Sequence, residues 1–199
     1  MISICGMEGG GEEGNMKALI LYWSAGGNTE KTAQAIREGL ESKGLSITFQ
    51  KVDQDLEMDF FDYDLICLGF PSYQWHPPEP VDAFLKKNFR RYRDQGRVKT
   101  GAPPIPGKQA LIFCTYSGPH TGLNEALPAG KYAGQFFEHL GFPVCDEWYV
   151  VGEFHGSEEK STQGRLGDIR GRPNREDLEK IRKDAARLAE RLAPRPGRR

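Results

Sequence analysis

Apolar residues follow two rhythms along this chain. Short, near-continuous runs at residues 17–23, 63–70, 109–115 and 145–151, and an alternating one at 46–52 marked by Ile47, Phe49 and Val52, are rich in Leu, Ile, Val, Phe and Tyr. Between them lie segments in which apolar positions recur every three to four residues. The runs have the length of strands buried on both faces, and the spaced segments have the period of amphipathic helices. The first helix is expected from Glu30, with Ala33, Ile36 and Leu40 on one stripe and Gly44 closing it. A second spans about Glu79 to Arg91 on Val81, Phe84, Leu85 and Asn88, and a third about Pro128 to Leu140. Asn174 caps a last one running to Leu192 on Leu178, Ile181, Ala185 and Leu188. Five buried strands alternating with helices predict an α/β fold, a three-layer doubly wound five-stranded parallel sheet.

Three segments stand outside the rhythm. Residues 1–15 are Gly/Glu-rich and read as a tail, 16–193 as a single domain, and 194–199 as a basic tail. The stretch 96–108, with three prolines and three glycines, reads as an exposed connection. Residues 154–173 are polar and Gly-rich, and a loop of that length in a compact domain is usually functional or disordered.

Composition narrows the class. With 199 residues, 38% of them hydrophobic, the chain is long enough to bury a core without disulfides or a structural metal. Cys5, Cys67, Cys114 and Cys145 show no C-x-x-C spacing and are expected to be reduced, mostly buried thiols. No apolar run approaches the 18 or so residues of a membrane span, and Met1–Gly6 lacks a signal-peptide core, which points to the cytoplasm.

The net charge of −1 hides an asymmetry: 5 Lys/Arg against 14 Asp/Glu in residues 1–85, and 22 against 14 afterwards. The densest basic cluster, Lys86 to Lys99, reads as a solvated helix end. Without a recognition motif, nucleic acid is not expected as a partner.

In an open parallel sheet, ligands sit outside the carboxyl ends of the strands where connections depart to opposite faces. The loops after the first, third and fourth strands are accordingly the chemical ones. Ser24, Ala25, Gly26, Gly27, Asn28 and Thr29 place small residues and two hydroxyls between a strand end and a helix start. Free backbone N–H groups there suit a phosphate. G-x-G-x-x-G is absent, and Gly101 to Lys108 lacks the spacing and following helix of a Walker loop. Pro71, Ser72, Tyr73 and Trp75 follow the third strand, and Thr115, Tyr116, Ser117, Gly118, His120 and Gly122 follow the fourth. Three aromatics on two such loops suit a flat ring. His76 reads as a surface histidine, while His139 and His155 have no functional context in the sequence.

These loops resemble those of the flavodoxin family, over about residues 16 to 193. The resemblance rests on Ser24–Thr29, on Gly69-Phe70-Pro71-Ser72-Tyr73 and on Thr115-Tyr116-Ser117-Gly118. It implies the strand order 2-1-3-4-5, FMN as cofactor, and electron transfer with a redox partner protein or NAD(P)H. The family's loop usually carries a threonine where Gly26 stands. Flavodoxin is itself a case from which the switch-point rule was generalised, so agreement with that rule follows from the resemblance. By the resemblance, Ser24, Ala25, Gly26, Gly27, Asn28 and Thr29 hold the phosphate. Tyr73, Trp75 and Tyr116 then contact the ring, Ser117, Gly118, His120 and Gly122 line its polar edge, and Pro71, Ser72 and Thr115 belong to the same cofactor site. An FMN-dependent NAD(P)H:quinone-type oxidoreductase is the competing expectation. A phospho-acceptor receiver is disfavoured, because Gly69-Phe70-Pro71 stands where its aspartate belongs.

Overall fold

The computed structural model describes residues 15–53 and 55–193. Cys5, the basic tail and nearly all of the N-terminal tail lie outside them. The five strands are β1 (Lys17–Tyr22), β2 (Ser46–Lys51), β3 (Leu65–Pro71), β4 (Gln109–Tyr116) and β5 (Val144–Val151). They pair in parallel throughout, in the order β2-β1-β3-β4-β5. The helices are α1 (Asn28–Glu41), α2 (Glu79–Asp94), α3 (Leu127–His139), α4 (Glu158–Thr162) and α5 (Arg175–Leu192).

Alternation along each strand separates two cores. Ala18, Ile20, Tyr22, Cys67 and Phe113 face α1 and α5, meeting Ala33, Ile36, Leu40, Ile181, Ala185 and Leu188. Leu19, Leu21, Ile66, Leu68 and Phe70 face the other way, onto Val81, Phe84 and Leu85 of α2 and Ala129, Ala133 and Phe137 of α3. Burial on both faces is why β1, β3 and β4 read as near-continuous apolar runs, whereas the edge strand β2 alternates. Cys67, Cys114 and Cys145 are free thiols, and burial pushes each one's pKa up.

Chain order reverses between β1 and β3. From β1 the chain crosses by α1 to β2 at one edge, then returns past β1 to β3. The loops that follow β1 and β3 therefore diverge, and a crevice opens between them.

Several boundaries depart from the sequence expectation. α1 begins at Asn28, because Gly27 adopts a left-handed φ of 90° and turns the chain straight into the helix. Trp23 falls just past β1, yet its N–H still donates to the Gly69 carbonyl at 2.9 Å. The third strand, expected from Tyr63, begins at Leu65, because Tyr63 closes the 3-10 turn Phe60–Asp62. Nor is the stretch 96–108 merely exposed: Ile105 packs on the core and its N–H donates to the Gly141 carbonyl at 2.8 Å.

Asn88, expected on the apolar stripe of α2, is buried because its Nδ2 donates to the Phe84 carbonyl at 2.9 Å. Tyr92, one turn on, is fully buried and its hydroxyl accepts the Phe60 N–H at 2.8 Å. Tyr92→Phe strands that amide, so a loss of about 1–2 kcal/mol is expected, read as a lower urea midpoint with unchanged slope.

Candidate functional site

The carboxyl edge of the sheet carries a cleft of about 960 Å³. The loop after β1 forms one end. Gly27 N–H donates to Ser24 Oγ at 3.0 Å, closing a tight turn that leaves the serine proton free to donate elsewhere. No acceptor among the described residues takes the N–H groups of Ala25, Gly26, Asn28 or Thr29. They lie at or beside the positive end of α1, where an anion is favoured.

Two further side chains of this loop are committed to structure. Thr29, only 1% exposed, shares a hydrogen bond of 2.7 Å with Thr115 at the end of β4, so its hydroxyl braces the cleft floor. Asn28 Nδ2 donates to the Glu153 carbonyl at 3.1 Å, tying the loop to the segment after β5. Its Oδ1 is buried with no donor among the described residues.

The loop after β3 is a tight antiparallel turn. Tyr73 and His76 exchange both backbone hydrogen bonds, at 2.9 and 3.0 Å. Gln74 and Trp75 at its tip both have positive φ, 48° and 66°, a conformation that costs a residue with a Cβ about 1–2 kcal/mol. The turn holds Trp75 62% exposed and Tyr73 48% exposed at the cleft, with Trp23 edge-on to Tyr73 at 6.0 Å. His76 turns away, its ring 4.4 Å from that of Tyr132. Pro71 and Ser72 line the floor, where Ser72 N–H donates to the Thr115 carbonyl and Ser72 Oγ to the Glu125 carbonyl.

The loop after β4 is held by a carboxylate. Glu125 Oε1 accepts the N–H groups of His120 and Thr121, at 2.7 and 2.6 Å. Tyr116 is half-buried at the cleft, and that burial raises its pKa. Ser117 Oγ donates to the Gly152 carbonyl at 2.8 Å, and Gly118 and His120 also line the space.

Two expected residues stand apart from the cleft. Gly27 acts through its backbone turn and not as lining. Gly122 N–H is spent on the Gly118 carbonyl at 3.0 Å, and its α-carbon lies so close to Gly118 that a Cβ on the latter would come within 2.7 Å. That amide is therefore not available to a ligand.

The sequence reading missed the segment after β5. Gly152, Glu153, Phe154, His155 and Lys160 all line the cleft, although β3 and β4 lie between β5 and β1 in the sheet. The segment is folded. Ser161, buried at the end of α4, accepts the Phe154 N–H and donates back to the Phe154 carbonyl, and Ile169 is buried beside it. Arg165 N–H donates to the Pro119 carbonyl at 2.9 Å, docking the segment on the loop after β4. The available signal was position alone, since this loop too leaves the carboxyl edge of the sheet.

The basic residues singled out by sequence are mostly paired. Lys86 meets Asp82 at 2.6 Å, Arg97 meets Asp59 at 3.3 Å, Arg170 meets Asp168 at 2.6 Å, and Arg172 pairs with Asp177. No helix among the described residues is long and apolar enough to cross a membrane.

Comparison with known proteins agrees with this architecture. A flavodoxin domain model matches residues 19–97. A flavodoxin of Aquifex aeolicus is 28% identical over 194 residues, covering 87% of this chain and 99% of that protein. An NAD(P)H dehydrogenase (quinone) of Caulobacter vibrioides is 27% identical over 203 residues, covering 87% and 96%. The oxidised flavodoxin 1 of Bacillus cereus superposes with a TM-score of 0.59 at 17% identity, over 89% of this chain and 99% of that one. Strand order, switch-point cleft and full-length relatives agree, and the chain is similar to flavodoxins and to NAD(P)H dehydrogenases (quinone) along nearly their whole length.

Proposed function

We propose that the cleft binds FMN non-covalently, with residues 16–193 acting as one unit, and that the protein serves cytoplasmic electron transfer with a redox partner protein or NAD(P)H. The observation that carries this reading is the pairing of two chemistries in one cleft. Unclaimed N–H groups of Ala25, Gly26, Asn28 and Thr29 form one end, and Tyr73, Trp75 and Tyr116 stand in the rest. A phosphate needs the former and an isoalloxazine ring the latter.

The residues present fit the cofactor at each part. The loop amides and the Ser24 hydroxyl hold the phosphate. Asn28 Oδ1, buried without a donor, takes a hydrogen bond from a ribityl hydroxyl, relieving a cost of about 1–3 kcal/mol. The exposed faces of Trp75 and Tyr73 leave water for the ring and shield it. Glu125 holds the His120 and Thr121 backbone so that the loop meets the ring edge in one conformation. FMN, when bound, supplies reversible one- and two-electron chemistry, and the protein's part is binding, orientation and exclusion of water.

Titrating purified protein into FMN tests this. Flavin fluorescence is expected to fall to a plateau at one equivalent, and an unchanged signal rejects the reading. The full-length likeness to an NAD(P)H dehydrogenase (quinone) supports a second reading, a reductase of the same fold. Adding NAD(P)H to the flavin-loaded protein separates them. Bleaching within a turnover time with a quinone present marks the reductase, and slow bleaching marks the carrier.

A further inference from the structure

His155 is packed on the phosphate loop. A Cβ at Gly26 would stand 2.3 Å from His155 Cδ2 and 2.9 Å from Nε2, so only a glycine lets the imidazole edge touch the loop backbone. The ring makes no hydrogen bond or ion pair among the described residues and stays exposed at the cleft. Lys160 lines the same cleft, its Nζ 4.5 Å from the centroid of the Phe154 ring, and no carboxylate among the described residues pairs with it. Most other basic side chains of this segment are paired, as Arg170 and Arg172 are.

The segment that carries both is fixed in place. Asn28 bonds the Glu153 carbonyl two residues before His155, and Ser161 bonds both the N–H and the carbonyl of Phe154. The loop from Ser24 to Thr29 has no basic residue of its own, and Glu153, the carboxylate nearest His155 in sequence, already accepts the Gly171 N–H at 2.9 Å. A phosphomonoester, carrying a charge of about −1.5 to −2 near neutral pH, would find N–H groups on the loop and two basic side chains, His155 and Lys160, on the segment after β5.

We propose that His155 and Lys160 form a two-residue clamp on the phosphate of the bound cofactor, His155 through a ring N–H and Lys160 through its ammonium, closing the site from the segment after β5. This rests on the reading of the cleft as an FMN site. The clamp makes the pocket selective for a phosphorylated flavin, because both residues act on the phosphate and neither on the ring. Gly26 belongs to the device as the gap that admits the imidazole.

Dissociation constants for FMN and for riboflavin, measured by fluorescence quenching, test it. His155→Ala and Lys160→Ala are each expected to weaken FMN about tenfold, the weight of one charge-assisted contact at a partly exposed site. Riboflavin should stay within about twofold, since it lacks the group being clamped. Gly26→Ala should reproduce the His155→Ala loss, because its methyl takes the place of the imidazole edge. Raising salt should weaken FMN less in the His155→Ala/Lys160→Ala protein than in the wild type. Equal losses for both flavins would make the segment a packing lid and overturn the clamp, as would no loss for either. A wild type that binds neither flavin rejects the cofactor reading itself, whereas one that binds both alike rejects only the clamp.

Discussion

Gly39→Val is expected to lower stability by about 3 kcal/mol, a fall of roughly 8 °C in melting temperature for a chain of this length. Gly39 lies in α1 where α5 crosses it. A Cβ there would come within 2.3 Å of the Arg182 carbonyl oxygen and 2.6 Å of Ala185 Cβ. The first of these is backbone, so no rotamer change relieves it, and α5 must move. Two effects oppose. Removing a glycine from a helix interior returns up to about 1 kcal/mol of propensity, less for a β-branched residue, whereas overpacking a fitted interface costs roughly 1–3 kcal/mol and occasionally more. The collision wins because the carbonyl it meets already serves the hydrogen-bond ladder of α5. Gly44→Ala is the control. It also replaces a glycine beside α1, but the position is open and only its φ of 82° resists a side chain. That costs about 1–2 kcal/mol, so the control should melt only a few degrees lower. A Gly39→Val protein that melts with the wild type would mean that the helices are not in contact there.

That contact shows what could be read from the sequence and what could not. The strands were legible because α1 and α5 cover one face and α2 and α3 the other, which leaves no polar alternation along β1, β3 or β4. The start of α1 was misplaced by two residues for a local reason. Asn28 and Thr29 look like cap residues, but their side chains reach Glu153 and Thr115, and the turn is made by Gly27. Ser24, Tyr73, Trp75, Tyr116 and their neighbours could be placed at one edge because each follows a strand directly. His155 and Lys160 could not, since nothing periodic surrounds them and the partner, Gly26, lies far away in sequence. The charge asymmetry also dissolved in three dimensions. Glu38 meets Arg182 at 2.5 Å, Asp59 meets Arg97, and Asp64 meets Lys108 at 3.2 Å, so the acidic first part and the basic second part neutralise each other across the fold.

Ala25→Asp is expected to weaken FMN by at least a hundredfold and to leave riboflavin within about threefold. Ala25 is exposed on the phosphate loop, next to the N–H groups proposed to hold the anion. A carboxylate placed there acts twice. It accepts those same N–H groups, and it faces the phosphate as a like charge. Two unit charges some 4–5 Å apart interact by about 3–4 kcal/mol at the effective dielectric of a protein surface, and a hundredfold loss corresponds to about 2.7 kcal/mol. The loss therefore survives a generous allowance for screening. Folding should not suffer, since a carboxylate at the start of a helix is worth a few tenths of a kcal/mol or more in its favour. A melting temperature at or above that of the wild type accordingly excludes misfolding as the cause. Equal weakening of both flavins would place the phosphate elsewhere. The variant also reports on the clamp, because the new carboxylate becomes the partner of His155. Removing His155 in that background should then cost FMN much less than the tenfold expected in the wild type, a coupling that residues acting on separate groups would not show.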